Sequence, residues 1–336
     1  MKYINVLTTG EHPYFIQQFD SSRFAEEYAF FENSDADIIW DLVIVYGGCK
    51  KKIPLKYKTG GLVFITGEPP MVYPYPCGFI RQFDTLMAFH FHPKYHNNLQ
   101  TQHALNWHFG LDWEQKKYRY TFEELLNLPQ PEKVKNISLI TSAYRYLPGH
   151  ILRMELVERL RREFPVEVDF YGKGVNPVRD KAEALLPYRF HICLENSAIP
   201  HYWTEKFADP ILGYSIPIYV GCTNIKEYFP EDFYYTIDLT RPDEAVRLIR
   251  TILSDPEKYY EEKIEKLLRA RTLLLNTYNF FPMVIRQFNT QLHSDGACRT
   301  IVLRPVTSYL SYPFLYYSLC LKKKIFRIRR KIMRWI

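Results

Sequence analysis

Hydrophobic residues in the first half of this chain come in short uninterrupted runs that close on glycine, with polar stretches between them. Tyr3–Leu7 is the first such run, Asp41–Tyr46 ends at Gly47 and Gly48, and Leu62–Thr66 lies between Gly61 and Gly67. Thr85–Phe89 is a fourth. Runs of this length predict strands buried on both faces, the habit of parallel strands in α/β sheets. The pattern then breaks. Residues 121–135 are polar and carry Pro129 and Pro131, which predicts a short helix followed by a linker. Beyond it the pattern resumes: Asn136–Ser142, Val166–Gly172, Arg189–Leu194 and Ile216–Gly221 predict strands. His150–Arg162, with apolar residues at 151, 152, 156, 157 and 160, predicts a helix, as does Thr204–Gly213, and the stretch from Pro242 to about Asn289 is helix-rich. The expectation is an α/β protein with an N-terminal domain over residues 1–130 and a C-terminal domain over 136–290 facing it across a cleft. A Tyr-rich segment and basic amphipathic tail follow over 300–336. Ligands of such sheets bind at the carboxyl ends of the strands, so the residues just after each strand are the candidates for chemistry.

Composition adjusts this picture in three places. With 336 residues, 47% apolar and 24% charged, the chain is ordinary globular protein with room for two cores. Its six cysteines are widely spaced with no CxxC pair, which argues against zinc and for reduced thiols. The first apolar run is too short for a signal peptide, and no run of about 18 uncharged apolar residues predicts a membrane-spanning helix. The net charge of +7 is concentrated at one end: Lys322–Ile336 holds eight Lys and Arg and no acid, so the remaining 36 basic residues face 37 acidic ones. A near-neutral body argues against a nucleic-acid-binding face. In the tail, Ile325, Ile328, Ile332 and Trp335 share a helical face amid the cations, the make-up of a helix lying on an anionic membrane surface. The localisation this implies is cytoplasmic, attached peripherally to the inner face of the cell membrane.

The segment richest in chemistry runs from Phe190 through Glu195-Asn196-Ser197 to Tyr202-Trp203-Thr204-Glu205-Lys206. It reads as a buried strand, a polar loop, and a Thr-Glu-Lys opening a helix, whose free N–H groups and dipole favour an anion. Arg153 lies on the helix after the Asn136–Ser142 strand, where a guanidinium fork suits phosphate oxygens. Glu68 directly follows a buried strand, the place for a carboxylate base facing a cleft.

Strand-Glu-Asn-Ser, Tyr202-x-Thr204-Glu205-Lys206, a helix and then Ile216-Pro217-Ile218-Tyr219-x-Gly221 resembles the signature of the α-1,3-fucosyltransferases (glycosyltransferase family 10), of bacterial type. The similarity runs from about Leu139 to Leu239, is strongest over 190–221 and is fainter over 61–89. The resemblance implies a GT-B-like fold of two Rossmann-type domains. It also implies an inverting transfer of L-fucose from GDP-β-L-fucose to a hydroxyl of a glycan acceptor, in α-1,3 linkage to GlcNAc or Glc of a surface glycan or lipopolysaccharide. Carried over residue by residue, Tyr202, Glu205 and Lys206, together with Glu195, Asn196 and Arg153, bind the donor, and Glu68 is the catalytic base. No cofactor is required in this reading, a divalent metal being at most stimulatory, and no Asp-x-Asp clamp follows a strand. Two departures stand out: Trp203 where many members have a small or aliphatic residue, and Ala143 where an Asn is usual. Two other readings stay open, a transferase of the same fold using another nucleotide sugar and a non-catalytic binder of nucleotide sugars or glycans.

Overall fold

The computed structural model describes residues 1–309 apart from 10–14, 70–72, 74, 91–94, 96, 104–105, 142–147 and 173–175. Two all-parallel sheets organise it. The first has six strands in the order Tyr28–Glu32, Lys2–Thr8, Leu42–Tyr46, Leu62–Ile65, Thr85–Ala88 and Asn98–Gln100. The second has five, in the order Val168–Tyr171, Lys135–Ile140, Tyr188–Leu194, Ile216–Val220 and Tyr235–Thr236. The runs Leu42–Tyr46 and Leu62–Ile65 are buried at every position, which is why the sequence shows no alternation there.

In both sheets the second strand in sequence lies outside the first and the third lies on its other side, so the chain reverses its winding between them. In the second sheet helices Pro148–Glu163 and Glu205–Leu212 then follow the two central strands, and a crevice opens at the strands' carboxyl ends. In the second sheet this crevice lies between Ile140 and Leu194, the ends of the Lys135–Ile140 and Tyr188–Leu194 strands. The predicted Glu195-Asn196 loop therefore stands at the switch point.

The faces of the first sheet are covered in a way that the sequence pattern did not show. Helix Pro256–Leu273 runs into a π-turn, Leu274–Tyr278, after which Phe280–Gln287 and Asn289–Leu292 form two further helices. Phe280, Phe281, Met283, Val284, Phe288 and Leu292 pack on the first sheet against Ile4, Ile44, Val63 and Met87. Residues 280–290, assigned from the pattern to the second domain, thus complete the core of the first. Apolar periodicity reports that a face is buried and not which sheet buries it. The strand Cys298–Leu303 likewise returns to pair antiparallel with Ile53–Lys58, a strand whose alternating Leu55 and Tyr57 point inward. Val306–Tyr309 then turns onto the other face, where Val306 is buried and Tyr309 meets Phe79. The remaining Tyr-rich segment and the basic tail lie outside the described residues. Among those described, no helix is long and apolar enough to cross a membrane.

Phe281 is fully buried and meets Phe19 and Phe30 edge-on at 4.9 and 4.8 Å. Phe281→Ala is expected to lower unfolding free energy by about 3–5 kcal/mol, the cost of truncating a buried Phe. Chemical denaturation checks this. A change under about 1 kcal/mol would show that the C-terminal helices contribute little to the first core.

Candidate functional site

The site grows from the loop between the Tyr188–Leu194 strand and the Glu205–Leu212 helix. Thr204 caps the helix: its hydroxyl accepts from the Lys206 backbone N–H at 3.3 Å. Thr204 is in turn held by Glu195, which accepts from the Thr204 backbone N–H at 2.7 Å and from its hydroxyl at 2.8 Å. Glu195 has a buried side chain, and burial raises its pKa to about 6 against the pull of Lys206, whose ammonium lies 3.6 Å away. The second half of the sequence motif is explained by the same carboxylate. A Cβ on Gly221 would stand 2.4 Å from Glu195 Cγ, so only glycine leaves room for it. Gly149 is excluded from gaining a side chain in the same way, since its Cβ would meet the Asn196 carbonyl oxygen at 2.3 Å.

Around this loop is a cavity of about 430 Å³ at the carboxyl ends of the second sheet's central strands. Arg153, Asn196, Glu205, Lys206 and Glu68 line it, together with Lys181, which sequence reasoning missed. Arg153 is buried and donates to the Asn196 side-chain oxygen at 2.7 Å; burial pulls its pKa down while Glu195 and Tyr202 counter that. Lys206 donates to Glu205 at 3.0 Å, and the neighbouring Glu205 and Glu195 raise its pKa despite burial. Burial pushes Glu205 up, yet Lys206 and Lys181 hold it well below the usual carboxylate range. Lys181 reaches Glu205 at 3.6 Å and Asp209 at 2.7 Å. Asp209 lies one helical turn beyond Glu205, a spacing that was legible in the sequence. Its other oxygen accepts the backbone N–H groups of His108 and Phe109, at 2.8 and 3.0 Å. Lys181 had no such signal, coming from a short 3-10 helix over Lys181–Ala184 in an otherwise irregular stretch.

His191 was also missed. Ser138 donates to the Ala184 carbonyl at 2.6 Å and therefore accepts from His191 Nδ1 at 2.7 Å. This fixes the tautomer and leaves Nε2 as an acceptor on a ring that lines the cavity. Burial, with Lys181 nearby, pushes the imidazole down to about 3, so it is neutral near pH 7.

Glu68 comes from the first domain, three residues after the Leu62–Ile65 strand, and among the described residues it is the one through which that domain reaches the cavity wall. One of its carboxylate oxygens, Oε2, is buried without a hydrogen-bond partner among the described residues. Burial raises its pKa, and Lys206 draws it partly back.

Tyr202 is placed differently from the expectation. It does not line the cavity. Its buried ring stacks on His103 at 6.0 Å and meets Phe89 at 5.2 Å, so it packs the loop against the first domain. Glu195 also lies beneath the cavity and not on its wall, positioning Thr204. Trp203 is fully buried among Phe207, Tyr228, Phe229 and Tyr278 and does not reach the cavity either.

The sequence profile of glycosyltransferase family 10 (fucosyltransferase), C-terminal part, matches residues 130–262. Through this stretch the chain is similar to glycosyltransferase family 10. The matched stretch contains the whole second sheet and every cavity residue named above except Glu68. An α-(1,3)-fucosyltransferase B of Drosophila melanogaster is 33% identical over 164 residues, 43% of this chain and 36% of its own length. An α-(1,3)-fucosyltransferase of Helicobacter pylori is 29% identical over 144 residues, 41% of this chain and 27% of its own length. The chain thus spans about a third of the length of these curated relatives. A solved α1,3-fucosyltransferase crystallised with GDP-fucose superposes at a TM-score of 0.50 with 16% identity, covering 88% of this chain and 93% of its own. That likeness is one of fold. Two parallel α/β sheets meeting at a cleft make the architecture GT-B-like, as the sequence led one to expect.

Buried Glu195 offers a test of the site's electrostatics. A carboxyl raised from 4.5 to about 6 on folding makes the folded state bind more protons than the unfolded chain in that window. Its contribution to stability is therefore fully present below pH 4.5 and is lost as pH rises to about 6. Glu195→Gln should make the fall in unfolding free energy between these pH values shallower, as read by denaturant titrations at each pH. An unchanged slope would mean that Glu195 ionises freely in the fold.

Proposed function

We propose that the chain transfers L-fucose from GDP-β-L-fucose to a glycan hydroxyl with inversion, the acceptor being GlcNAc or Glc of a surface glycan or lipopolysaccharide. The observation that carries this reading is that one cavity is lined both by Glu68, whose Oε2 has no hydrogen-bond partner among the described residues, and by a cationic wall of buried Arg153 and half-buried Lys206. The similarity of residues 130–262 to the family 10 profile supports it. In this reading Glu68 takes the proton of the acceptor hydroxyl as that oxygen attacks C1 of the sugar. The bond from C1 to the diphosphate oxygen breaks on the opposite side, and its electron pair leaves with GDP. Arg153, Lys206 and the N-terminus of the Glu205–Leu212 helix balance the negative charge. A carboxylate whose pKa burial has raised is the stronger base. No step in this scheme calls for a resident cofactor.

The same reading gives the tail a place. Lys322–Ile336 would hold the enzyme on an anionic membrane surface at the inner face of the cell membrane, motivated by its eight cations and single apolar stripe.

Four measurements test this. GDP is expected to raise the melting temperature more than UDP or CMP, since a ligand that binds only the native state stabilises it. Equal shifts would remove the guanine assignment. Glu68→Gln should keep the GDP shift and lose transfer by on the order of 10²–10⁴-fold, the worth of a general base. Arg153→Ala and Lys206→Ala should each weaken donor binding by roughly 1.5–3 kcal/mol. Collapse of GDP binding in Glu68→Gln would instead place Glu68 in the donor site. For the tail, full-length protein should bind vesicles containing phosphatidylserine and a chain ending at Leu321 should not; equal binding would refute the anchor.

A further inference from the structure

Four tryptophans lie among the described residues, and three of them, Trp40, Trp107 and Trp203, are at most 1% exposed. Trp113 is 44% exposed. It sits on the turn of a small hairpin, Leu111–Asp112 paired antiparallel with Lys117–Tyr118. This turn is braced on both sides. Asp112 accepts the backbone N–H groups of Glu114 and Gln115, each at 2.9 Å, and its other oxygen is bound by Arg179 of the second domain at 2.6 Å. An indole left in water on a turn held this rigidly is organised before any ligand arrives, and it is the kind of residue that anchors a partner.

Its position relative to the cavity is defined by two contacts. The Trp113 ring meets the His108 ring edge-on at 5.0 Å, and His108 Nδ1 lies 4.0 Å from Glu205 Oε1 on the cavity wall. The turn also forms one side of a second concavity, of about 320 Å³, to which Gln115 and Lys117 contribute from the hairpin and Arg179 and Glu183 from the segment opposite. Lys181, between those two, faces the first cavity, so one short segment walls both. The second groove offers donors and acceptors without net charge. Its carboxylates, Asp112, Asp180 and Glu183, are matched in number by Lys117, Arg119 and Arg179. Asp180 is moreover occupied by the backbone N–H groups of Gly110 and Ala182, at 2.9 and 2.8 Å. Such a surface has no preference for an anion or a cation. Trp113 does not line this groove itself but lies on the turn between two residues that do, Asp112 and Gln115. An indole adjoining balanced polar groups suits a neutral polyol, whose apolar ring face can lie on the indole while its hydroxyls meet the groove.

We propose that Trp113 and this groove form a carbohydrate platform that holds the part of the glycan acceptor extending away from the reacting hydroxyl. The proposal rests on the glycosyl-transfer reading for what the glycan is doing there, and its test is arranged to fail separately. Full-length protein carrying Trp335→Phe leaves Trp113 as the exposed tryptophan of the described chain. Acrylamide quenching of its fluorescence is measured with N-acetyllactosamine, lactose, chitotriose and maltotriose, without donor. At least one sugar is expected to protect the indole, with saturation. Trp113→Ala should weaken the binding of that sugar, followed by calorimetry, by roughly tenfold, and Trp113→Tyr should restore part of it. In transfer assays the acceptor KM should rise in Trp113→Ala while kcat and the GDP-induced melting shift stay at the parent's values. Protection by none of the four sugars, or an unchanged sugar affinity in Trp113→Ala, would overturn the platform. A parent protein that ignores GDP would sink the donor reading alone, because quenching is read without it.

Discussion

The structure depends on a chain of buried and half-buried charges of alternating sign at the start of one helix. Glu195, Lys206, Glu205, Lys181 and Asp209 alternate in sign, each within 3.6 Å of the next. Removing one member would strand its neighbour in a low-dielectric interior, which costs far more than the pair itself contributes. The chain fixes more than a helix. Glu195 seats Thr204 and so the helix start, and Asp209 seats the His108–Phe109 backbone that arrives from the first domain. Lys181 ties in the 3-10 segment behind the cavity. Four stretches distant in sequence therefore take their positions from one electrostatic condition. An anionic ligand entering beside Lys206 would meet cations already in place, so little reorganisation would accompany binding.

The two domains are joined by packing and not by a hinge of few contacts. The helices over 280–292 belong in sequence to the end of the second domain and in space to the first sheet. Tyr202 inserts against Phe89 and His103, and the Tyr228 hydroxyl bonds both His201 at 2.6 Å and the Gln102 backbone N–H at 3.1 Å. These contacts set the distance between Glu68, on one sheet, and the cationic wall on the other. A carboxylate and a cationic wall borne on separate sheets can act on one ligand only if that distance is held, and the loop carrying the motif does part of the holding.

Much of this protein is determined by local sequence. Strands buried on both faces announce themselves as unbroken apolar runs, because every side chain in them meets a covering layer. The Glu-Asn-Ser loop, the Thr204 cap, Gly221 and Glu68 are legible for a related reason: each is tied to the end of an element, and element ends are written in neighbouring residues. What only the tertiary structure decided is which distant segments meet. The helices over 280–292 read correctly as helices, yet nothing in their period said that the first sheet would receive them. Tyr202 sits inside the most recognisable motif of the chain, and its ring nevertheless went to the domain contact. Lys181, His191 and Trp113 became part of a charge chain, a fixed tautomer and an exposed ring through partners 28, 53 and 5 positions away, Asp209, Ser138 and His108. Periodicity encodes whether a position is buried; which charge or ring it then meets is fixed by the packing of the whole chain.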